Sequence, residues 1–409
     1  MQKNLTSLLE KMSTAQTTQL WTMSSDGLEY ERYKNLLSGR LINSLSPEGI
    51  DAQTLCRGLE NVAFKNRIEI IHDGCDIRKQ YSKKLPNLAK VRDLDGDIVN
   101  GYNSFNSLFI SDIDKSIHLL SHTSYSTADP HYNAIAGVSF DHDSIVLNQI
   151  TATDQALKTR FKDLPVRHLL DRGHDDQTVF EHINQLKSSF VIRLKASRNS
   201  NEIGLNKKGK LGPIKLIDAQ LDHTHQQLLE KFIWKNKCFE QAKLNITQGT
   251  LQLDDNTYTV LRIEVFDRKG KNIFKDPMLL ITNELSSNLS EAFAIYQAYL
   301  RRSKIESVFR FLKDNLGWED FRVRDFLVIQ NVLSLCFFVA GYFYEHQHML
   351  VNDPQVALIC KMANSKGKIT KHFYLEGLKI IANYSLFNSF VKEQNINQDT
   401  VNQLLKHLY

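Results

Sequence analysis

Residues 299–313 read YLRRSKIESVFRFLK. They lie in a stretch from about Ser290 to Leu316 that holds no glycine and no proline before its end, which predicts one long helix. Tyr299, Arg302, Glu306 and Lys313 follow one another at spacings of three, four and seven residues. At about 100° per residue they fall within roughly 60° of each other. Ile305, Val308, Phe309 and Leu312 make the opposite, apolar side. A stripe of one tyrosine, two cations and a carboxylate is either a solvated face or one wall of a charged site. Spacing alone favours the solvated face, so the decision falls to what the rest of the chain brings to this helix.

Outward from the helix, two more acids stand out. Residues 68–73 (IEIIHD) read as a short strand ending on Asp73. Residues 168–171 (HLLD) read as another, ending on Asp171. Between them, 100–111 and 116–122 predict two further strands joined by the turn 112–115, followed by a helix near 150–161. A helix over 176–187 carries Val179, Ile183 and Leu186 on one face, and 189–194 (SFVIRL) is a fifth strand. The order is β-β-β-α-β-α-β. Three carboxylates from two strand ends and a helix make a hard-oxygen site suited to Mg²⁺ or Mn²⁺. Two such ions about 3.5–4 Å apart clamp the attacking and leaving oxygens of an in-line phosphoryl transfer. Arg302 and Lys313 then meet phosphate charge, and Tyr299 can donate to a phosphate oxygen.

These segments together resemble a known family. The run from Tyr299 to Lys313 fits Y-x2-R-x3-E-x6-K at each position, the YREK signature of DDE transposases of the insertion-sequence-four type. Residues 72–79 (HDGCDIRK) resemble that family's first-Asp segment, and 170–175 (LDRGHD) its second. The resemblance spans about residues 65–330. It implies an α/β fold with an RNase H-like catalytic core, a mixed five-stranded sheet with flanking helices. It also implies a β-rich insertion between the second and third acids. The 135-residue gap from Asp171 to Glu306, against 98 from Asp73 to Asp171, leaves room for one. The composition of 196–285 fits: polar and rich in Gly, Asn and Lys up to Lys215, then β-branched and alternating at 257–266. Asp76 competes with Asp73 as the first ligand, and Asp73 is favoured because it ends the apolar run. Asp175 and Asp176 are expected to cap a helix.

The expected organisation is a helical DNA-binding region at 1–65, core at 66–195, insertion at 196–285, core with the signature helix at 286–345, and a helical, dimerising region at 346–409. Tyr30, Tyr33, Leu37 and Leu41 share a helical face, and Ser46-Pro47 starts another helix. The chain has 409 residues, 42% hydrophobic and 24% charged, enough for several cores and against wholesale disorder. Its net charge is only +5, so any affinity for DNA must come from local clusters. One cluster follows the first acid: Arg78, Lys79, Lys83, Lys84, Lys90 and Arg92, with no acid within 78–92. A second runs from Arg193 through Lys195, Arg198, Lys207, Lys208 and Lys210 to Lys215. A basic run is usually a solvated loop, but two that flank a phosphoryl-transfer site read better as phosphate-backbone contacts, with Arg78, Lys79, Lys83 and Lys84 as the expected DNA-binding residues. Trp234 is either a core residue or, as the family suggests, a platform for a flipped base. Trp318 is expected to pack where the signature helix ends.

The five cysteines form no C-x-x-C pair, and His223/His225 and His346/His348 lack further ligands, so zinc and disulfides are not expected. No phosphate-binding G-x-x-x-x-G-K-[ST] is present. Residues 326–343 are apolar but contain Gln330, Asn331 and Ser334, which predicts a buried helix and no membrane span. With no signal peptide, a cytoplasmic, nucleoid-associated bacterial protein is expected. The family implies a transposase that cuts and joins double-stranded DNA at terminal inverted repeats, acting as a homodimer on transposon ends and target. The alternatives are an RNase H-like nuclease or resolvase without joining activity, and a non-catalytic, transposase-derived repressor.

Overall fold

The computed structural model describes residues 2–39, 44–60, 62–134, 140–205, 211–234, 237–345 and 352–393. Leu41, Lys207, Lys208, Lys210, His346, His348 and residues 394–409 of the expected C-terminal region lie outside them.

Four helices open the chain: α1 (Gln2–Ala15), α2 (Leu20–Met23), α3 (Gly27–Leu37) and α4 (Pro47–Gly58). Ser46 caps α4 by accepting from the Gly49 amide, with Pro47 in the first turn, where its missing N–H costs nothing. Tyr33 and Leu37 of α3 are buried, on the face the spacing predicts.

The sheet begins with β1 (Ile68–Arg78), β2 (Ala89–Arg92), β3 (Ile98–Ile110) and β4 (Ile117–Tyr125). Then come α5 (His142–Arg160), β5 (Val166–Leu170), a short 3₁₀ turn at 172–174, α6 (Gln177–Gln185) and β6 (Ser189–Arg193). Residues 199–282 add β7 (Asn199–Leu205), β8 (Leu211–Lys215), β9 (His223–Trp234), β10 (Lys237–Leu253), β11 (Asn256–Phe266) and β12 (Met278–Thr282). Helices close the described chain: α7 (Leu289–Arg301), α8 (Lys304–Leu316), α9 (Phe326–Glu345), α10 (Pro354–Ala363) and α11 (Lys371–Glu393).

Within the sheet, β4, β3 and β1 are antiparallel neighbours, and β1, β5 and β6 are parallel neighbours. The order β4-β3-β1-β5-β6, with helices on both faces, is consistent with the RNase H-like core expected from the sequence. The sheet does not stop at five strands. β12, buried along its whole length, pairs antiparallel with β6, and β11, β10 and β9 follow to make ten strands in one sheet. The apolar edge of β6 is thereby covered rather than left open. Only β7 and β8 stand apart, as a two-stranded ribbon.

Two of the departures from expectation bear on the site; elsewhere α5 begins at His142 rather than near 150, and β2 is an additional strand. β1 runs five residues past Asp73, because β3 continues to pair with it from Asp73 opposite Asn106 to Arg78 opposite Gly101. The single helix expected over 290–316 is two helices joined at Arg302-Ser303. There the amides of Arg302, Ser303, Ile305 and Glu306 bond three residues back rather than four. Helix α9 is long and apolar enough to cross a membrane, yet most of it is buried in the fold. Asn331 donates to the carbonyls of Leu37 and Leu45, and Gln330 to that of Ser124, so these two side-chain amides tie the helix to its neighbours.

Candidate active site

The register of two parallel strands builds the site. Ile68 lies opposite Val166, and the pairing continues to Ile71 opposite Leu169. Two residues further along each strand stand Asp73 and Asp171, neighbours just where β5 ends. Side chains alternate between faces, so both acids share the face of Ile71 and Leu169. Asp76 is on the other face. Its carboxylate accepts from the Arg92 amide and the Asn103 side chain, so Asp73 is the one beside Asp171.

Asp171 ends β5 and accepts from the Gly173 amide at 2.8 Å, opening the short turn. A Cβ on Gly173 would lie 2.9 Å from the Asp171 carboxylate, so a larger residue there would push that carboxylate out of its present position. His174, buried against Phe105 and His142, approaches Asp171 at 3.8 Å, and burial lowers its pKa to about 4.

The joint between α7 and α8 delivers the third acid. Arg301 pairs with Glu69 and Arg302 with Asp73, at 2.6 and 2.7 Å. These two acids lie four residues apart on one face of β1, so adjacent arginines staple the joint across the strand. Arg302 also reaches Glu306 at 3.0 Å and so holds two of the three candidate carboxylates. Glu306 is 59% exposed, at the open side of the site. Tyr299 is buried under Arg302, with the guanidinium 5.9 Å from its ring centre. Lys313 donates to the Asp76 carbonyl at 2.6 Å and pairs with Glu319. The stripe therefore faces β1 and is not a solvated face.

Burial is the main force on the Asp73 carboxyl and raises its pKa to about 7; the charges of Asp171 and Glu306 push the same way, and Arg302 opposes them. A buried carboxyl raised by like charges is stabilised by any cation brought to it. The donors are all oxygens, matching a hard divalent ion, and the Arg302 guanidinium stands where positive charge is wanted. They fit such an ion in chemistry, although no three metal-ligating side chains are gathered into a cage among the described residues.

Under Asp73, on the other face, runs a buried polar chain. His72 is hydrogen-bonded to Ser107 and to His168, and His168 to Asp154, at 2.7, 2.9 and 3.1 Å. It ties the two acid-bearing strands to α5. Nothing in the local spacing of these residues signals the chain, because its members come from four elements.

The basic run divides. Arg78 forms a two-pronged pair with Glu319, and Lys79 donates to the Glu319 and Phe321 carbonyls while lying 3.9 Å from the Phe321 ring. Both clamp the end of β1 to the segment after α8. Lys83 and Lys84 are exposed, with no ion pair among the described residues. Arg322 and Arg324, absent from the sequence reading, line the same cleft as those lysines. Their signal was period-two alternation: Phe321 and Val323 are buried, Arg322 and Arg324 exposed. In the second run, Arg198 pairs with Asp175 at 3.5 Å and lies over the Phe180 ring.

Trp234 ends β9 half-buried, edge-on to Phe274 at 4.8 Å, and lines a cavity of about 380 Å³ with Arg193 and Lys237. Trp318 is fully buried just past α8, its indole donating to the Leu333 carbonyl. Asp176 caps α6, whereas Asp175 accepts from the Lys195 amide instead.

The family described as "Transposase DDE domain" matches residues 128–340, just over half of the chain. The matched stretch takes in Asp171 and the whole run from Tyr299 to Lys313, and begins after Asp73. A comparison with curated proteins gave no match.

Proposed function

The chain belongs to the transposase DDE domain family, and from that premise we propose that it cuts DNA at the terminal inverted repeats of an insertion sequence and joins the freed ends to target DNA. Asp73, Asp171 and Glu306 are its catalytic carboxylates. The observation that carries this conclusion is the β1–β5 register, which sets Asp73 beside Asp171, with the α7–α8 joint bringing Glu306 to the same face. Three stretches far apart in sequence bring three carboxylates to one guanidinium, Arg302, and this excess of negative charge around the buried Asp73 is costly unless a further cation joins it.

Asp73, Asp171 and Glu306 would hold Mg²⁺ or Mn²⁺, as two ions. Bound there, the metal would supply an activated water and neutralise charge on the departing 3′ oxygen. Arg302 and Lys313 add positive charge along β1, where a scissile phosphate must approach. Tyr299, packed beneath Arg302, limits where the guanidinium can swing. Lys83 and Lys84 supply sequence-independent backbone contacts. Two element ends must be held together, so the active form is a homodimer, with the C-terminal region as its contact.

Plasmid nicking and strand-joining assays test the assignment. Asp73→Asn, Asp171→Asn and Glu306→Gln should each abolish cleavage and joining while end binding survives, and the triple variant should be no worse than the singles. Normal cleavage by Glu306→Gln would overturn the assignment. Cleavage without joining of pre-cut ends would reduce the protein to a nuclease.

A further inference from the structure

A cleft of about 890 Å³ opens where β1 ends, between the loop after Arg78 and residues 319–324. Its inner wall is already committed, because Arg78, Lys79 and Glu319 are bonded to one another or to backbone. Its mouth is different. Lys83, Lys84, Arg322 and Arg324 all line it, and none has an ion-pair partner among the described residues; Asp93, Asp95 and Asp320 line it too, but Asp93 is taken up by the Asp95 and Asp97 amides and Asp320 by Thr17. Tyr81 stands among them, 89% exposed, and Leu94 faces it, 87% exposed. The exposed ring and the four cations thus share one cleft mouth. Cations that track a phosphate backbone, with an exposed ring on which a base can stack, are the features that bind single-stranded nucleic acid.

We propose that this cleft is a binding site for unpaired DNA, with Tyr81 stacking on a base and Lys83, Lys84, Arg322 and Arg324 holding the flanking phosphates. Size favours a single strand. The cleft is of the size that takes a small organic ligand, enough for one base with its sugar and phosphate. Position relates it to the chemistry. Arg78 is five strand residues beyond Asp73, about 17 Å at 3.4 Å per residue. That distance matches about five nucleotides at the per-strand spacing of B-form DNA. The site therefore takes a strand that has left its partner about five nucleotides from the scissile phosphate. It rests on the conclusion that the chain acts on DNA, and extends it by fixing where a displaced strand goes.

Fluorescence anisotropy of the full chain tests this with two labelled probes, a twelve-residue oligothymidine and a twenty-base-pair duplex, each at low and moderate salt. Tyr81→Ala should weaken oligothymidine binding roughly fivefold or more, with duplex affinity little changed, and Tyr81→Phe should restore it. Arg322→Ala with Arg324→Ala should lower the salt slope for oligothymidine by up to about 1.4 units. Wild-type oligothymidine affinity in Tyr81→Ala, or an equal loss for both probes, would overturn the cleft as a single-strand site while leaving the transposase assignment intact. Failure of the wild-type chain to bind either probe would overturn both. Circular dichroism of each variant verifies the fold, since all three side chains are exposed and none supports the core.

Discussion

Arg302 carries two carboxylates at once, and its removal separates binding from chemistry. Arg302→Ala should leave Mn²⁺ binding, measured by electron paramagnetic resonance, at least as tight as in the wild type, because it frees Asp73 and Glu306. Cleavage should nevertheless fall by about a hundredfold or more, as when a preorganised donor is lost from a transition state. Weaker Mn²⁺ binding would mean that Arg302 organises the carboxylates rather than the phosphate. The Asp73 carboxyl has its own signature. Its pKa is about 7 in the folded chain and about 3.9 when unfolded, so the folded state holds the proton more tightly. Its contribution to stability is present in full below pH 3.9 and is lost as pH rises to about 7. Thermal melts without metal should therefore show Asp73→Asn gaining on the wild type between pH 4 and 7 and levelling off above. A difference independent of pH would mean that Asp73 is not buried as described.

Among the elements, the α7–α8 joint marks where sequence reasoning stops. Helix propensity and apolar spacing identify residues 289–316 as helical, and the two aspartates are visible as acids following apolar runs. The joint itself is invisible, since neither Arg302 nor Ser303 breaks a helix by its own chemistry. It is fixed by ion pairs to Glu69 and Asp73, more than two hundred residues earlier. Likewise nothing within 68–78 reveals that β1 continues past Asp73, because the partner strand β3 decides that. The basic cluster 78–92 was legible as charge, but not its division into clamping and exposed members, which depends on Glu319. The segment after α8 offers a further test. Gly317 ends α8 with φ +60°, and a Cβ there would meet the Asp320 carboxylate and the Thr17 backbone. Gly317→Ala should cost about 1–3 kcal/mol in denaturant unfolding, from left-handed strain plus the clash. An unchanged midpoint would mean that this turn relaxes freely.

At the scale of the whole molecule, the ten-stranded sheet welds the strands after β6 to the catalytic core through the β6–β12 pairing. Trp234 belongs to that welded part and packs on Phe274. Trp234→Ala should lower stability by about 1–3 kcal/mol, less than for a fully buried tryptophan, while end cleavage per folded molecule holds. Slower cleavage at unchanged stability would instead assign Trp234 to base stacking. The strand register also has a bearing on timing. Asp171 joins Asp73 once β5 has docked, but Glu306 arrives 135 residues later, on a helix that packs against β1 and against the still later α9. At about 5–20 residues per second, a ribosome needs roughly 7–27 s to cover that interval. Throughout it, the growing polypeptide holds two acids and no third. On the proposed assignment, a chain released anywhere before α8 lacks its third carboxylate and should bind DNA without cutting it.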